Sequence, residues 1–284
     1  MMGFMSETTK NLKLAFLGTG SMNGAILQGI LASGHDPKLV TATVRSTQRV
    51  AQLEALGVNV LVGEADEAAN QKAAAEADVV FLGVKPYAIT QLCEEISPAL
   101  RPQTVVVSVA AAITLESMCS HLPAGQPVVR SMPNTPLMVG AGVVGLSPAA
   151  SVSAAQLEQV QALFAGSGDV HVIDEAQQDA LSAISGSGPA YAFYLAEAMA
   201  SAGVKLGLDA ELSRQLARAT VSGAGKMMAD EQADPAAMRR GVTSPNGTTE
   251  RAIAVFEEQD IPGIIAAGTQ AAAARAAQLS AELG

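Results

Sequence analysis

Gly18 and Gly20, followed by Ser21, Met22 and Asn23, are the residues of this sequence best suited to receive a phosphate. Glycine lets the backbone turn tightly and approach an anion with no Cβ in the way. Before them, Leu14-Ala15-Phe16-Leu17 is a short apolar run of the kind buried on both faces of a parallel sheet. After them Met22, Ala25, Ile26, Ile30 and Leu31 recur at helical spacing, so a helix starts where the glycines stop. Its N-terminus would offer free N–H groups and partial positive charge to a pyrophosphate. In that strand–turn–helix setting the pair reads as a dinucleotide site; alone it would be only a βα turn. Asn23 stands at the third place of the usual G-x-G-x-x-G/A pattern, with the small Gly24 one later. That departure predicts a slightly altered seat of helix on strand.

Further candidate chemistry falls at the ends of the next apolar runs. Residues 39–44 read as a strand and are followed by Arg45, Ser46, Thr47, Gln48 and Arg49. An acidic residue there would take a ribose 2′-OH, whereas arginine accommodates a 2′-phosphate. The reading is therefore NADP(H), against the plainer alternative of a solvated basic turn. The run 79–82 closes in Gly83-Val84-Lys85-Pro86, on the edge where parallel strands place ligands, so Lys85 lies over the cofactor or is a surface lysine. Strands at 105–109 and 128–130 run into Ala110-Ala111-Ala112 and into Ser131-Met132-Pro133-Asn134-Thr135-Pro136. Two prolines bracketing Asn134-Thr135 predict a rigid, non-helical loop. Ser185-Gly186-Ser187-Gly188-Pro189 has the look of a nucleophile motif, yet no strand runs into it and no histidine partner is evident, so it reads as a structural turn. The segment 243–249 offers N–H groups and hydroxyls beside a helix start, which makes an anion cradle or an ordinary capping loop.

These groups need a scaffold. A strand at 58–61, a helix at 65–77, a Gly-rich strand at 138–146, a helix at 156–164 and a strand at 170–173 complete an alternating pattern. The fold class is α/β, with a Rossmann-like, doubly wound, mostly parallel sheet followed by an all-helical C-terminal dimerisation domain. The expected domains are 11–175 for dinucleotide binding and 176–284, all-helical, for dimerisation. In the second half, Pro189 opens a helix carrying Leu195, Met199 and Ala202. Asp209 is the expected N-cap of one carrying Leu212, Leu216 and Val221. Helices at 236–240, 250–258 and the Ala-rich 262–282 follow, and a helical subunit interface is expected from them.

Composition narrows the class. The chain has 284 residues, 49% hydrophobic but only 3% aromatic, so its core is built from Ala, Val, Leu, Ile and Met. A formal net charge of −10 without a dense Lys/Arg cluster argues against nucleic acid or an anionic membrane as partner. Cys93 and Cys119 have no metal-like spacing, His35, His121 and His171 are scattered, and no metal is expected. The start lacks an apolar h-region, and no apolar run reaches spanning length, so the expectation is a cytoplasmic protein.

With the glycine turn, Val84-Lys85-Pro86, Ser108 to Ile113, Arg130 to Pro136, Ser185 to Tyr191 and Ser244 to Thr249 in hand, the sequence resembles the pyrroline-5-carboxylate reductase family. The likeness is collinear from Leu12 to the C-terminal helix. M-P-N-T-P, S-G-S-G-P-A-Y and S-P-N-G-T-T are its most specific pieces. The resemblance implies NADPH-dependent reduction (NADH possible) of the cyclic imine 1-pyrroline-5-carboxylate to L-proline, the last step of proline biosynthesis. It implies a homodimer too, assembled in some cases into rings. Carried over, Gly18, Gly20, Ser21 and Met22 would hold the pyrophosphate, and Arg45 with Ser46 or Thr47 the adenosine end. Val84, Lys85, Pro86, Ala110 and Ala111 would line the cofactor, and Met132, Pro133 and Asn134 would flank the nicotinamide. Ser244, Gly247, Thr248 and Thr249 would receive the substrate, with the Thr249 hydroxyl on its carboxylate or imine nitrogen as the catalytic contact. Asn23 stands where the family usually has alanine, and Asn246 where it has glycine; asparagine tolerates φ > 0 better than other side chains. A 3-hydroxyacid dehydrogenase, which would use a lysine such as Lys205 or Lys226, and a non-catalytic NADP-binding regulator are the alternative readings.

Overall fold

The computed structural model describes residues 7–230 and 232–283. Strands β1 (Leu14–Leu17), β2 (Val40–Val44), β3 (Asn59–Val62), β4 (Val79–Leu82), β5 (Val105–Ser108), β6 (Val128–Pro133), β7 (Gly142–Pro148) and β8 (Gly168–Val172) form one sheet. Their order is β3-β2-β1-β4-β5-β6-β7-β8. Every pairing is parallel except that of β6 with β7. The chain reverses direction from β1 outward to β3 and then returns to β4, so the β1–β4 boundary is a topological switch point, where such sheets place ligands.

Alternate side chains of the central strands serve two cores, as a pleated sheet covered on both faces requires. Leu14 and Phe16 of β1 join Phe81, Val105 and Val107 on one face. Helices α2 (Ser21–Ala32), α3 (Val50–Glu54) and α7 (Ala154–Phe164) cover it with Ile26, Ile30, Leu53 and Phe164. Phe16 stacks on Phe81 at 4.6 Å between ring centroids, and Phe164 meets Phe81 edge-on at 5.7 Å. In a chain so poor in aromatics these pairs matter; each contributes about 0.5–1.5 kcal/mol beyond the area it buries. Ala15, Leu17, Val80 and Leu82 face the other way, under α4 (Ala69–Glu76), α5 (Ile89–Ile96) and α6 (Leu115–Ser120). Short helices α1 (Glu7–Lys10) and α8 (Gln178–Leu181) complete this part.

Three local expectations are corrected. The helix expected at 65–77 begins only at Ala69, because the Asp66 carboxylate accepts the Ala68 N–H at 3.1 Å and holds the preceding residues in a turn. Ser131, Met132 and Pro133 belong to β6 rather than to a loop, since they pair with Leu146, Gly145 and Val144 of β7. The segment after them is helical: Thr135–Val139 is a 3₁₀ helix, so the strand expected at 138–146 starts at Gly142. Proline in the first turn of a helix sacrifices no hydrogen bond, which is why Pro136 permits this turn.

The chain divides into two compact units, Met1–Gly186 with Ala272–Gly284, and Ser187–Ala271. The second is built on α9 (Gly188–Lys205), α10 (Ala210–Met227), α11 (Pro235–Gly241), α12 (Thr248–Glu258) and the start of α13 (Ile261–Leu283). Asp209 caps α10 by accepting the Glu211 and Leu212 N–H groups, and Asp234 caps α11 through Ala236. Helices α9 and α10 pack together where Gly203 makes room for Ser213. Their remaining faces leave Phe193, Tyr194, Leu195, Leu212 and Leu216 exposed. No helix of the described residues is long and apolar enough to cross a membrane.

Candidate functional site

The turn between β1 and α2 is held from β2. The Thr43 hydroxyl accepts the Gly18 N–H at 3.0 Å, and the Thr43 carbonyl accepts the Thr19 N–H at 2.8 Å. Thr43 in turn donates to the Asn70 carboxamide oxygen, and Thr19 to the Phe16 carbonyl. Gly18 has φ +73°, and a Cβ there would strike Val84 Cγ1 at 2.6 Å, so only glycine lets the two turns touch. Gly20 is required by nothing inside the fold: a Cβ on it would meet no atom within 4 Å. The face it leaves bare is open to a group arriving from outside. Gly20 is the N-cap of α2 and no side chain caps that helix. The first helical hydrogen bond runs from the Gly24 N–H to the Gly20 carbonyl, leaving the N–H groups of Ser21, Met22 and Asn23 for an external acceptor. An uncapped helix start behind a bare glycine fits a pyrophosphate.

Asn23 explains how the altered glycine pattern is accommodated. Its side chain is fully buried and lies against Gly83, whose missing Cβ would sit 2.2 Å from Asn23 Nδ2. The substitution toward a larger residue is therefore met by a glycine sixty positions away.

The other expected cofactor residues follow the strand ends in order. Arg45, Ser46 and Thr47 stand after β2, with Arg45 and Thr47 exposed. Arg49 and Ser21 line one groove, with Arg49 Nη1 3.9 Å from where a Cβ on Gly24 would be. Among the described residues neither Arg45 nor Arg49 has a carboxylate partner, so both charges remain available to an anion. Val84, Lys85 and Pro86 follow β4, with Lys85 exposed as the N-cap of a short 3₁₀ turn. After β5, Ala110 is buried and Ala111 exposed; Ala112 has φ +66°, a left-handed conformation that alanine adopts at a cost of about 1–2 kcal/mol. Sequence reasoning had no means to find that strained turn. Met132 and Pro133 end β6, and Asn134 follows. The Asn134 side chain is turned to the fold: Nδ2 donates to the Ser185 carbonyl and Oδ1 accepts the Val143 N–H, both at 2.9 Å.

Ser182–Gly186 forms a π-helical turn, and Gly186 gives room to the Met132 methyl, 2.8 Å from where a Cβ would lie. The Ser185 hydroxyl donates to the Leu181 carbonyl. The serine-rich motif is thus a packed turn. Arg130, also unsuspected, is buried with its guanidinium 3.0 Å from Glu175, and Glu175 accepts the Leu115 N–H at 2.7 Å. That pair fastens the loop after β8 to β6 and α6.

In the helical unit, the segment 244–249 is a tight turn leading into α12. Asn246 has φ +59°, the conformation expected of an asparagine replacing glycine. A Cβ on Gly247 would lie 2.6 Å from Ser244 Oγ and 2.9 Å from its carbonyl oxygen, so that position admits glycine alone. Two of the loop's donors are already used. The Asn246 N–H goes to the Glu250 carboxylate at 2.9 Å and the Gly247 N–H to the Ser244 carbonyl at 3.0 Å. The expected cradle narrows to the N–H groups of Thr248 and Thr249 at the start of α12, where no side chain caps the N-cap Gly247. The Thr249 side chain is half-buried and that of Thr248 exposed. Among the described residues no cluster of three or more His, Cys, Asp or Glu side chains is arranged to hold a metal ion.

The chain is similar to known proteins along most of its length. Residues 175–279 match the family model described as pyrroline-5-carboxylate reductase dimerisation. Residues 13–112 match the model described as NADP oxidoreductase coenzyme F420-dependent. The pyrroline-5-carboxylate reductase of Pseudomonas aeruginosa is 41% identical over 273 residues, covering 96% of this chain and 98% of that protein. Among solved structures, a pyrroline-5-carboxylate reductase from Coxiella burnetii superposes with a TM-score of 0.89 at 35% identity, over 95% of this chain and 98% of that one. The pyrroline carboxylate reductase of Plasmodium falciparum, solved with NADP bound, gives 0.81 at 25% identity over 95% and 99%.

Proposed function

This chain belongs to the pyrroline-5-carboxylate reductase family, and from that premise we propose that it reduces 1-pyrroline-5-carboxylate to L-proline with NADPH. The observation that carries the reading is the extent of the likeness. It covers 96% of the chain, so the glycine turn and the loop at 244–249 come as one matched set. Bound NADPH supplies the hydride delivered to the C=N carbon; the protein contributes orientation and electrostatics. Residues 11–175 serve the cofactor, and 176–284 the substrate and the dimer.

Ser21 and Met22 present N–H groups to the pyrophosphate, with Gly18 and Gly20 giving it access. Arg45, Ser46 and Thr47 hold the adenosine end, and the unpaired arginine charges favour NADPH over NADH. Val84, Lys85, Pro86, Ala110 and Ala111 line the cofactor. Met132 and Pro133 flank the nicotinamide, while Asn134 shapes their loop, since both ends of its amide are engaged. The substrate carboxylate is received by the Thr248 and Thr249 N–H groups, with Ser244 and Gly247 shaping the turn. The Thr249 hydroxyl holds the carboxylate or the imine nitrogen. A ring imine arrives able to be protonated from water, so no strong protein acid is required. The exposed apolar residues of α9 and α10 are covered by a second copy, and dimers join into a larger ring. Cys93 and Cys119 are both free, which suits the cytoplasm.

The experiment is a substrate panel: cyclic imines and keto acids offered with NADPH or NADH while the reduced nicotinamide absorbance is followed. Consumption of NADPH confined to the pyrroline carboxylate supports the reading, and turnover of a keto acid instead overturns it.

A further inference from the structure

The two cofactor turns of the sheet share one buried strut. Asn23, in the first turn of α2, is 1% exposed. Its Nδ2 lies 3.3 Å from the Leu17 carbonyl oxygen and 3.4 Å from that of Phe81, and an amide nitrogen has one proton for each. Leu17 ends β1 just before the Gly18 turn; Phe81 is the penultimate residue of β4, before the Gly83 turn. The same carboxamide fills the space a side chain at Gly83 would need, with Nδ2 at 2.2 Å and Cγ at 2.3 Å from a Cβ there. Asn23 Oδ1 is buried and accepts no hydrogen bond from the described residues, so the amide is retained through its nitrogen. Above this contact the turns touch again, Val84 against Gly18.

We propose that Asn23 is a positioning residue for the cofactor: by bonding β1 and β4 together and keying into Gly83, it fixes the distance between the Gly18–Ser21 turn and the Gly83–Pro86 turn. This rests on the reading that those turns hold NADPH. A dinucleotide spans both turns, so a change in their separation weakens it along its whole length. The substrate loop at 244–249 lies in the other unit, and its affinity for the imine is not set by this strut. Asn23 and Gly83 must therefore behave as one unit toward NADPH and leave the substrate constant alone.

The test measures NADPH binding by nicotinamide fluorescence, with steady-state kinetics and unfolding midpoints, for Asn23→Ala, Gly83→Ala and the double variant. Asn23→Ala is expected to fold, to raise the Kd for NADPH at least tenfold, and to keep the KM for the imine within threefold at saturating cofactor. Gly83→Ala is expected to raise the Kd at least tenfold in the wild-type background and to add less than threefold once Asn23 is alanine. A Kd within threefold of wild type in Asn23→Ala overturns the proposal, as does a full-sized Gly83→Ala effect in both backgrounds. Failure of Asn23→Ala to fold overturns it too, because the role would then be one of stability. If Gly83→Ala alone fails to fold, rescue by Asn23→Ala supports the shared slot, and no rescue refutes it. Wild-type protein that binds neither NADPH nor NADH removes the cofactor reading itself; normal wild-type binding with unchanged variants removes only the strut.

Discussion

Asn134 and Ser185, 51 positions apart, are joined by a 2.9 Å hydrogen bond from the asparagine Nδ2 to the serine carbonyl, while the same amide accepts the Val143 N–H. One buried side chain thereby ties the end of β6 to β7 and to the π-helical turn before α9. Truncation to alanine leaves an N–H and a carbonyl without partners. Both groups are half-buried, so each lost bond costs about the net worth of a hydrogen bond, roughly 0.5–1.5 kcal/mol. Asn134→Ala is expected to lose stability by at least one such increment in urea unfolding, and unchanged stability would show that water replaces the amide.

Arg45 should decide between the two nicotinamide cofactors. It is exposed after β2 and has no carboxylate partner among the described residues. A charge-assisted hydrogen bond to phosphate contributes roughly 1.5–3 kcal/mol, about one to two decades of affinity. Arg45→Glu is therefore expected to raise the KM for NADPH ten- to a hundredfold and that for NADH little. Equal effects on the two constants would dismiss a contact to the 2′-phosphate.

Thr249 offers a division between binding and chemistry. If its hydroxyl holds substrate and transition state alike, Thr249→Ala raises the imine KM with kcat unchanged; if it steadies the nitrogen as hydride arrives, kcat falls as well. Either loss amounts to roughly 1.5–3 kcal/mol in kcat/KM. NADPH affinity stays at the wild-type value. Wild-type kinetics from a folded Thr249→Ala protein would remove this residue from the site.

His35 makes stability depend on pH. It is buried, and burial pushes its pKa below the ordinary 6.5, with the Leu12 backbone and the Asp36 charge opposing the shift only in part. The unfolded chain then binds the proton more readily than the folded one. The stability is fully present above pH 6.5 and is lost as pH falls from there through the depressed folded value. Unfolding midpoints measured across that window should fall with acid in wild type and fall less in His35→Leu. Parallel curves would assign the acid loss to other groups.

The helical unit should not tolerate a charge on its apolar face. Phe193 is 69% exposed and Leu212 44%. Surfaces of that kind are what a second copy buries. Leu212→Glu is expected to shift the protein toward monomer in light scattering and to lower activity with it. An active wild-type monomer at working concentration would contradict the expected dimer.

What could be read from the sequence was what local chemistry decides. Asp209 announces its helix because a capping carboxylate acts on residues two and three positions ahead. The run from Leu14 to Ile30 announces strand, turn and helix for the same reason. What escaped was set by distant partners. No local pattern marks Asn23 as the neighbour of Gly83, Thr43 as the anchor of the Gly18 turn, or Arg130 as the partner of Glu175. The 3₁₀ helix at Thr135–Val139 was missed because two prolines suggest a break, although the second sits where a helical turn can use it. In the loop at 244–249 the donors beside a helix start were legible, but not that Glu250 and Ser244 consume two of them or that Ser244 leaves room only for glycine at 247.

Helix α13 belongs to both units: its first half lies within Ser187–Ala271, and from Ala272 onward it belongs with the sheet, where Leu283 packs against the core cluster that contains Ala15 and Leu17. The polypeptide thus passes from one unit to the other twice, once at Gly186 and once inside an unbroken helix. A gene fragment stopping at Gly186 would encode a sheet unit stripped of its closing piece, and a cut by protease between α8 and α9 would leave the two parts still linked.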